Sequence, residues 1–163
     1  MTGVFTINGN ERTIEFDSGA TLLEVLREAG HVEVKHGCGQ GECGACVVLL
    51  DGNPVNSCQV FAASVRGRSI TTAAGLGSRL EPSPIQTAFA DAGAVQCGFC
   101  TPGMVLSTHA LLENTPDPTD DEITEALSGN LCRCTGYAKT IEAVREAARR
   151  LREQPSRNPG GKR

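Results

Sequence analysis

Three thiols and four glycines fall within ten residues at Gly37-Cys38-Gly39-Gln40-Gly41-Glu42-Cys43-Gly44-Ala45-Cys46. The first two cysteines enclose four residues, the next pair encloses two, and Cys58 follows later. This is the C-x₄-C-x₂-C…C spacing of a plant-type [2Fe–2S] ligand set. Two irons need four thiolates, and the stretch with Cys58 supplies them. The glycines suit the same chemistry. A backbone turning around an inorganic core visits positive φ and brings N–H groups close to sulfur, an approach that side chains would obstruct.

A second set of thiols, Cys97-Gly98-Phe99-Cys100 and Cys132-Arg133-Cys134, stands just ahead of two helical patterns. Two thiolate pairs at helix N-termini can converge where free N–H groups and the helix dipoles favour negative charge. This spacing is less diagnostic, because C-x₂-C with a later cysteine pair also suits structural zinc.

Other chemistries fit poorly. Gly39-Gln40-Gly41-Glu42-Cys43-Gly44 satisfies G-x-G-x-x-G, yet its interior cysteine, flanking thiols and missing crossover helix do not suit a dinucleotide turn. His31, His36 and His109 have no evident carboxylate partner, so they read as solvated or packed, with His109 in a helical core. If the eight cysteines bind metal, no thiol is left for covalent catalysis. Asp117, Asp120, Asp121 and Glu122 read as a solvated helix start favoured by the dipole.

Net charge is −4, with no Trp and one Tyr, which offers neither the basic surface nor the stacking aromatics of a nucleic-acid binder. The N-terminus lacks a basic flank before a long apolar run, and nowhere do about 18 apolar residues occur together. The expectation is a soluble cytoplasmic protein with no membrane insertion. Cytosolic reducing conditions disfavour disulfides, so eight cysteines point to metal; a four-bridge secreted scaffold would be shorter and signal-led.

The elements that must position these thiols follow from patterning. Val4–Ile7 and Arg12–Phe16 read as strands around an Asn8-Gly9 turn. Thr21-Leu22-Leu23-Glu24 is a capping box opening a short helix, with Leu22, Leu23, Leu26 and Ala29 on one face and Gly30 as its stop. Val47–Leu50 and Val55–Cys58 read as a second hairpin. A two-residue turn pairs Cys46 with Ser57 and a four-residue turn pairs Val47 with Cys58, so either register delivers Cys58 beside Cys46. Ser69–Thr72 is the best final strand.

From Pro82 helical signals take over. Helices are expected over Pro84–Ala92, from an N-cap at Thr101 with Pro102 at N1 to about Glu113, after the Thr119/Glu122 capping box to about Leu127, and from about Tyr137 to Arg152. In the second of these, Val105, His109 and Leu112 share a side. The fold class is therefore α+β: a β-grasp ferredoxin-like domain over 1–76, joined through Gly75-Leu76-Gly77-Ser78 to an all-helical four-helix bundle over 77–153. A disordered tail follows over 154–163.

Three motifs together carry a family resemblance: the Gly37–Cys46 loop, Val95-Gln96-Cys97-Gly98-Phe99-Cys100-Thr101-Pro102-Gly103, and Gly129-Asn130-Leu131-Cys132-Arg133-Cys134-Thr135-Gly136-Tyr137. The chain resembles the small iron–sulfur subunit of the molybdenum hydroxylases, the xanthine dehydrogenase, aldehyde oxidoreductase and carbon monoxide dehydrogenase family. The resemblance spans about residues 4 to 152 and includes all eight cysteines in order.

It implies two [2Fe–2S] clusters, one on Cys38, Cys43, Cys46 and Cys58 toward a flavin, and one on Cys97, Cys100, Cys132 and Cys134 next to a molybdopterin. Gln96 and Cys134 match positions that hydrogen-bond the pterin in relatives. It further implies a large subunit carrying the molybdenum cofactor and a medium subunit carrying FAD, assembled as a dimer of heterotrimers. Substrate chemistry would then lie on another chain, with purines, aldehydes, N-heterocycles and carbon monoxide all open. A stand-alone two-cluster ferredoxin and a zinc-binding interaction module are the competing functions.

Overall fold

The computed structural model describes residues 1–153, so the tail expected over 154–163 lies outside the described residues. Strands β1 (Thr2–Ile7) and β2 (Asn10–Glu15) form the opening hairpin. Its turn works because Asn8 and Gly9 both sit at positive φ, 51° and 78°, as a two-residue hairpin turn requires. β3 (Val47–Leu50) and β4 (Asn53–Asn56) form the second hairpin, and β5 (Ser69–Thr71) joins the two by running parallel to β1 and antiparallel to β3. The sheet order is β2-β1-β5-β3-β4.

Helix α1 (Leu22–Glu28) opens with the expected reciprocal capping box between Thr21 and Glu24. It buries Leu22, Leu23, Val25 and Leu26 against a core that includes Phe5, Ile7, Val48 and Ile70. Ala29 does not belong to this face. The helix spans only seven residues, Ala29 is its exposed C-cap, and Val25 fills the place expected of it.

Strand β3 explains how the two cysteine groups come together. Its sequence Val47-Val48-Leu49-Leu50 is apolar throughout and buried throughout, as expected for a strand covered on both faces. Val48 and Leu50 face the α1 core, whereas Val47 and Leu49 pack with Leu106 and Ala110. Those two residues lie on α3 (Thr101–Asn114), so the helix beginning at the second cysteine pair docks on the strand that follows the first cysteine loop.

Among the described residues of the second half, the α-helices are α2 (Pro84–Asp91), α3, α4 (Asp120–Leu127) and α5 (Ala138–Glu153). They share a core that includes Phe89, Met104, Ile123, Val144 and Ala148. α2 and α4 open with capping boxes from Ser83/Gln86 and Thr119/Glu122. The N-cap of α3 falls one residue earlier than expected: it is Cys100, whose carbonyl accepts from Met104 N–H at 3.1 Å. Nor is its buried surface one stripe. Residues 103 to 108 are all buried, because the sheet lies on one side and α2 and α4 on the other, and His109 is only half-buried. α5 begins at Ala138, since Tyr137 takes a left-handed conformation with φ of 66°.

The acidic residues at the start of α4 are exposed, as expected, and two of them also meet arginines of α5. Arg145 pairs with Asp120 and Arg152 with Asp117, while Arg150 reaches Asp91 of α2 at 2.7 Å. Likewise His31 does have a carboxylate partner: Glu33 lies 3.1 Å from its Nδ1 and also accepts from Thr72 Oγ1 at 2.7 Å.

Within α5, hydrogen bonds from Arg149 and Arg150 hold the Glu146 carboxyl far below its ordinary 4.5, at about 2. A depressed folded-state pKa means that the charged pair stabilises the fold above the ordinary value and loses that effect as pH falls toward the folded one. Thermal unfolding of the wild type and Glu146→Gln is expected to differ at neutral pH, with the difference shrinking between pH 4.5 and about 2. A pH-independent difference would refute this linkage.

Candidate metal centres

The first loop threads from α1 to β3 with Gly39, Gly41 and Gly44 at φ of 69°, 81° and 68°. These left-handed turns point backbone N–H groups inward: Cys38 N–H donates to Cys43 Sγ at 3.4 Å, and Gln40 N–H donates to Cys38 Sγ at 3.3 Å. Gly37 leaves room for a thiol, since a Cβ there would lie 2.7 Å from Cys43 Sγ.

The fourth thiol arrives by the two-residue register. Asp51 and Gly52 make the turn at positive φ, Leu50 pairs with Asn53, and Val47 pairs with Asn56. Cys46 carbonyl then accepts from Ser57 N–H at 3.3 Å and from Ser57 Oγ at 2.7 Å. β4 ends at Asn56, however, and Cys58 sits in a 3₁₀ turn over Ser57–Gln59 instead of in the strand. The tight turn brings the sulfur back toward Cys46.

Burial divides the quartet. Cys38 is exposed and Cys43 half-buried, whereas Cys46 and Cys58 are buried. N–H donation from Gln40 and Cys43 holds the Cys38 thiol down to about 6, while burial beside Cys58 pushes Cys46 up to about 11.

The second quartet converges from two segments, Cys97–Cys100 and Cys132–Cys134. Cys97 and Cys134 place their sulfurs 3.5 Å apart at the surface. Cys100, at the start of α3, is buried; that burial, with Cys132 beside it, pushes its thiol up to about 12. Against the opposing effect of burial, Thr135 brings Cys132 down to about 7 by donating from Oγ1 at 3.1 Å and from N–H at 3.4 Å. Thus only the Cys97–Cys100 segment abuts a helix start directly. Cys134 lies short of α5, and local donors on the loop take over the role expected of that helix.

Each quartet is two couples: Cys38 with Cys43 and Cys46 with Cys58, then Cys97 with Cys134 and Cys100 with Cys132. Two irons that each hold two thiolates need such couples. A structural zinc instead needs four ligands converging tetrahedrally on one point. All eight cysteines are free thiols. The donor set, the positive-φ glycines and the N–H···S contacts therefore fit a [2Fe–2S] group at each place.

The two places touch through backbone. Leu131 N–H donates to Cys43 carbonyl at 2.9 Å, and Asn130 Nδ2 donates to Gly44 carbonyl at 3.2 Å. Asn130 is itself 3 % exposed. Its carbonyl accepts from Tyr137 Oη at 3.2 Å, and Tyr137 Oη accepts from Cys132 N–H at 2.7 Å. Gly103, in the first turn of α3, lets the Gly44 carbonyl approach so closely that any Cβ would collide with it. Sequence reasoning missed Asn130, Tyr137 and Gly103 in these roles. Nothing in the local spacing of Asn130 marks a contact with Gly44 some 86 positions away.

Gln96 is exposed and makes no side-chain hydrogen bond within the described residues. Phe99 and Leu131 also expose apolar surface close to Cys97 and Cys134 in sequence. Among the described residues no helix is long and apolar enough to cross a membrane.

Residues 5–69 match the family profile described as a 2Fe-2S iron-sulfur cluster binding domain, and residues 72–145 match that of a [2Fe-2S] binding domain. The chain is 51% identical over 145 residues to the nicotinate dehydrogenase small FeS subunit of Eubacterium barkeri, covering 88% of this chain and 92% of that one. It is 46% identical over 141 residues to the xanthine dehydrogenase iron-sulfur-binding subunit of Escherichia coli O157:H7, covering 85% and 89%. The solved quinoline 2-oxidoreductase from Pseudomonas putida 86 superposes with a TM-score of 0.90 at 40% identity, over 94% of this chain and 96% of that chain. With two cluster-binding domains in the same order and the same fold along nearly its whole length, the chain belongs to the iron–sulfur subunits of the molybdenum hydroxylase family.

Proposed function

We propose that Cys38, Cys43, Cys46 and Cys58 ligate one [2Fe–2S] cluster and Cys97, Cys100, Cys132 and Cys134 the other, and that the chain relays electrons between a large molybdopterin subunit and a medium FAD subunit. The single observation carrying this reading is the pair of thiol quartets, each split into two couples and joined by the Leu131 to Cys43 hydrogen bond. Bound there, the clusters supply one-electron transfer, whereas oxidation of substrate at the partner's molybdenum releases electrons in pairs.

The protein's own part is to hold, shield and tune. Buried Cys46, Cys58 and Cys100 keep water from one side of each site, and N–H and O–H donation from Gln40 and Thr135 offsets negative charge on the sulfurs. Gln96 and Cys134, both at the surface, would face the pterin of the large subunit. The domain division falls at 1–76 and 77–153, with α2 to α5 closing as a four-helix bundle. The assembly is a dimer of heterotrimers in the cytoplasm. The substrate pocket belongs to the large subunit; relatives are named for nicotinate and xanthine alike.

Elemental analysis tests the reading. The purified complex is expected to hold about four iron and four acid-labile sulfide per chain, in line with two [2Fe–2S] groups, together with molybdenum, flavin and two distinct EPR signals on reduction. Zinc without sulfide would refute it, and a monomer carrying both clusters with no partner would favour a free ferredoxin.

A further inference from the structure

Gln59 has no place in the ligand sets, yet its side chain reaches back over the first loop. It is exposed and stands one residue beyond Cys58, at the end of the 3₁₀ turn. Its Nε2 lies 3.0 Å from Gly39 carbonyl, 3.1 Å from Cys58 carbonyl and 3.5 Å from Cys58 Sγ. All three neighbours are acceptors. A flipped amide would set its oxygen against two carbonyls and a sulfur, so the acceptors themselves fix the NH₂ group in this position.

Gly41 makes room for the strap: a Cβ there would come within 2.8 Å of Gln59 Cγ. On the same loop Asn56 Nδ2 holds the Gly41 carbonyl at 2.8 Å. Among the described residues, no other side-chain N–H donates to a sulfur of the first quartet; its remaining N–H···S contacts come from backbone.

We propose that Gln59 is a positioning and tuning residue for the cluster on Cys38, Cys43, Cys46 and Cys58, raising its reduction potential by donating to Cys58 Sγ while strapping the loop closed at Gly39. This rests on the ligand reading given above. An N–H dipole aimed at a ligand sulfur stabilises the reduced cluster, which carries one more negative charge, more than the oxidised one. Gln59 therefore biases the single electron of a half-reduced protein toward this cluster.

Potentiometric titration of the intact complex, followed by EPR of each cluster, provides the test. In Gln59→Leu the electron distribution is expected to shift about twofold to tenfold toward the other cluster, the range of one neutral hydrogen bond. A tenfold shift corresponds to 59 mV for one electron. Gln59→Glu, of the same shape but without the donor and with added negative charge, should shift further in the same direction. Unchanged distributions in both variants would overturn the proposal.

Should either variant lose its cluster, wild-type complex carrying glutamine labelled with ¹⁵N in the side-chain amide decides the matter. Pulsed EPR of the reduced cluster should detect a weakly coupled amide nitrogen, and its absence overturns the proposal. If Cys58→Ser left iron, sulfide and both EPR signals untouched, the ligand reading itself would fail, which is a distinct result.

Discussion

Gly44→Ala is expected to cost about 2–5 kcal/mol of stability and to separate the two cluster loops, from left-handed strain plus overpacking. Gly44 sits at φ of 68°. An added Cβ would meet Gly129 carbonyl, come within 2.5 Å of Asn130 Nδ2 and approach Asn130 Cα at 3.0 Å. Two of those obstacles are backbone, so no side-chain rotation relieves them. The loop must shift, and shifting it breaks the Cys43 to Leu131 and Gly44 to Asn130 hydrogen bonds together.

Gly93→Ala provides the control. Gly93 has a similar φ of 69° but nothing within 4 Å of a new Cβ, so it should lose only the conformational part, about 1 kcal/mol. Denaturant unfolding of the two variants checks the difference, and spin–spin interaction between the reduced clusters should weaken in Gly44→Ala alone. Equal destabilisation would show that the close contact between the loops is unimportant.

Cys43→Ser and Cys134→Ser are expected to stop the relay at different points. Serine offers iron a harder, less suited donor than thiolate, and each substitution breaks one of the sulfur couples. Cys134→Ser should remove the second cluster's EPR signal and slow electron exit from molybdenum. Cys43→Ser should spare that exit, remove the first cluster's signal, and abolish passage to the flavin. In both variants turnover with the natural acceptor should fall at least about a hundredfold, the upper end of losses seen when a metal's supporting shell is disturbed. Rapid-mixing spectroscopy of flavin reduction separates the two blocks. Normal turnover in both would refute the order of stations.

The cysteine-rich loop was legible in the chain because the spacing of its thiols is local. Cys38, Cys43 and Cys46 lie within nine positions, and the glycines between them follow directly from the φ values that such a loop needs. Capping boxes at Thr21 and Thr119 were also readable, because the partners stand three residues apart. The hairpin that delivers Cys58 could be expected, but its register could not. Asp51 taking positive φ selected the two-residue turn, and Cys58 then fell into the 3₁₀ turn beyond the strand.

Other misreadings share one cause. Ala29 was assigned to a buried face by periodicity that α1 is too short to continue, and α3 looked one-sided although neighbours surround it. Periodicity reports which side chains can share a face; it does not report what covers the other faces.

By itself, the sequence determined how many thiols there are, how they are spaced, and the order of the strands and helices between them. Only the tertiary structure decided how the thiols divide into couples, and that Asn130 and Gly103 meet Gly44 of the first loop while Tyr137 braces the second loop from within. The physical reason is range. Ligand spacing and capping act over a few residues of chain, whereas the meeting of Gly44 with Asn130 depends on β3 being buried on both faces so that α3 must pack beside it.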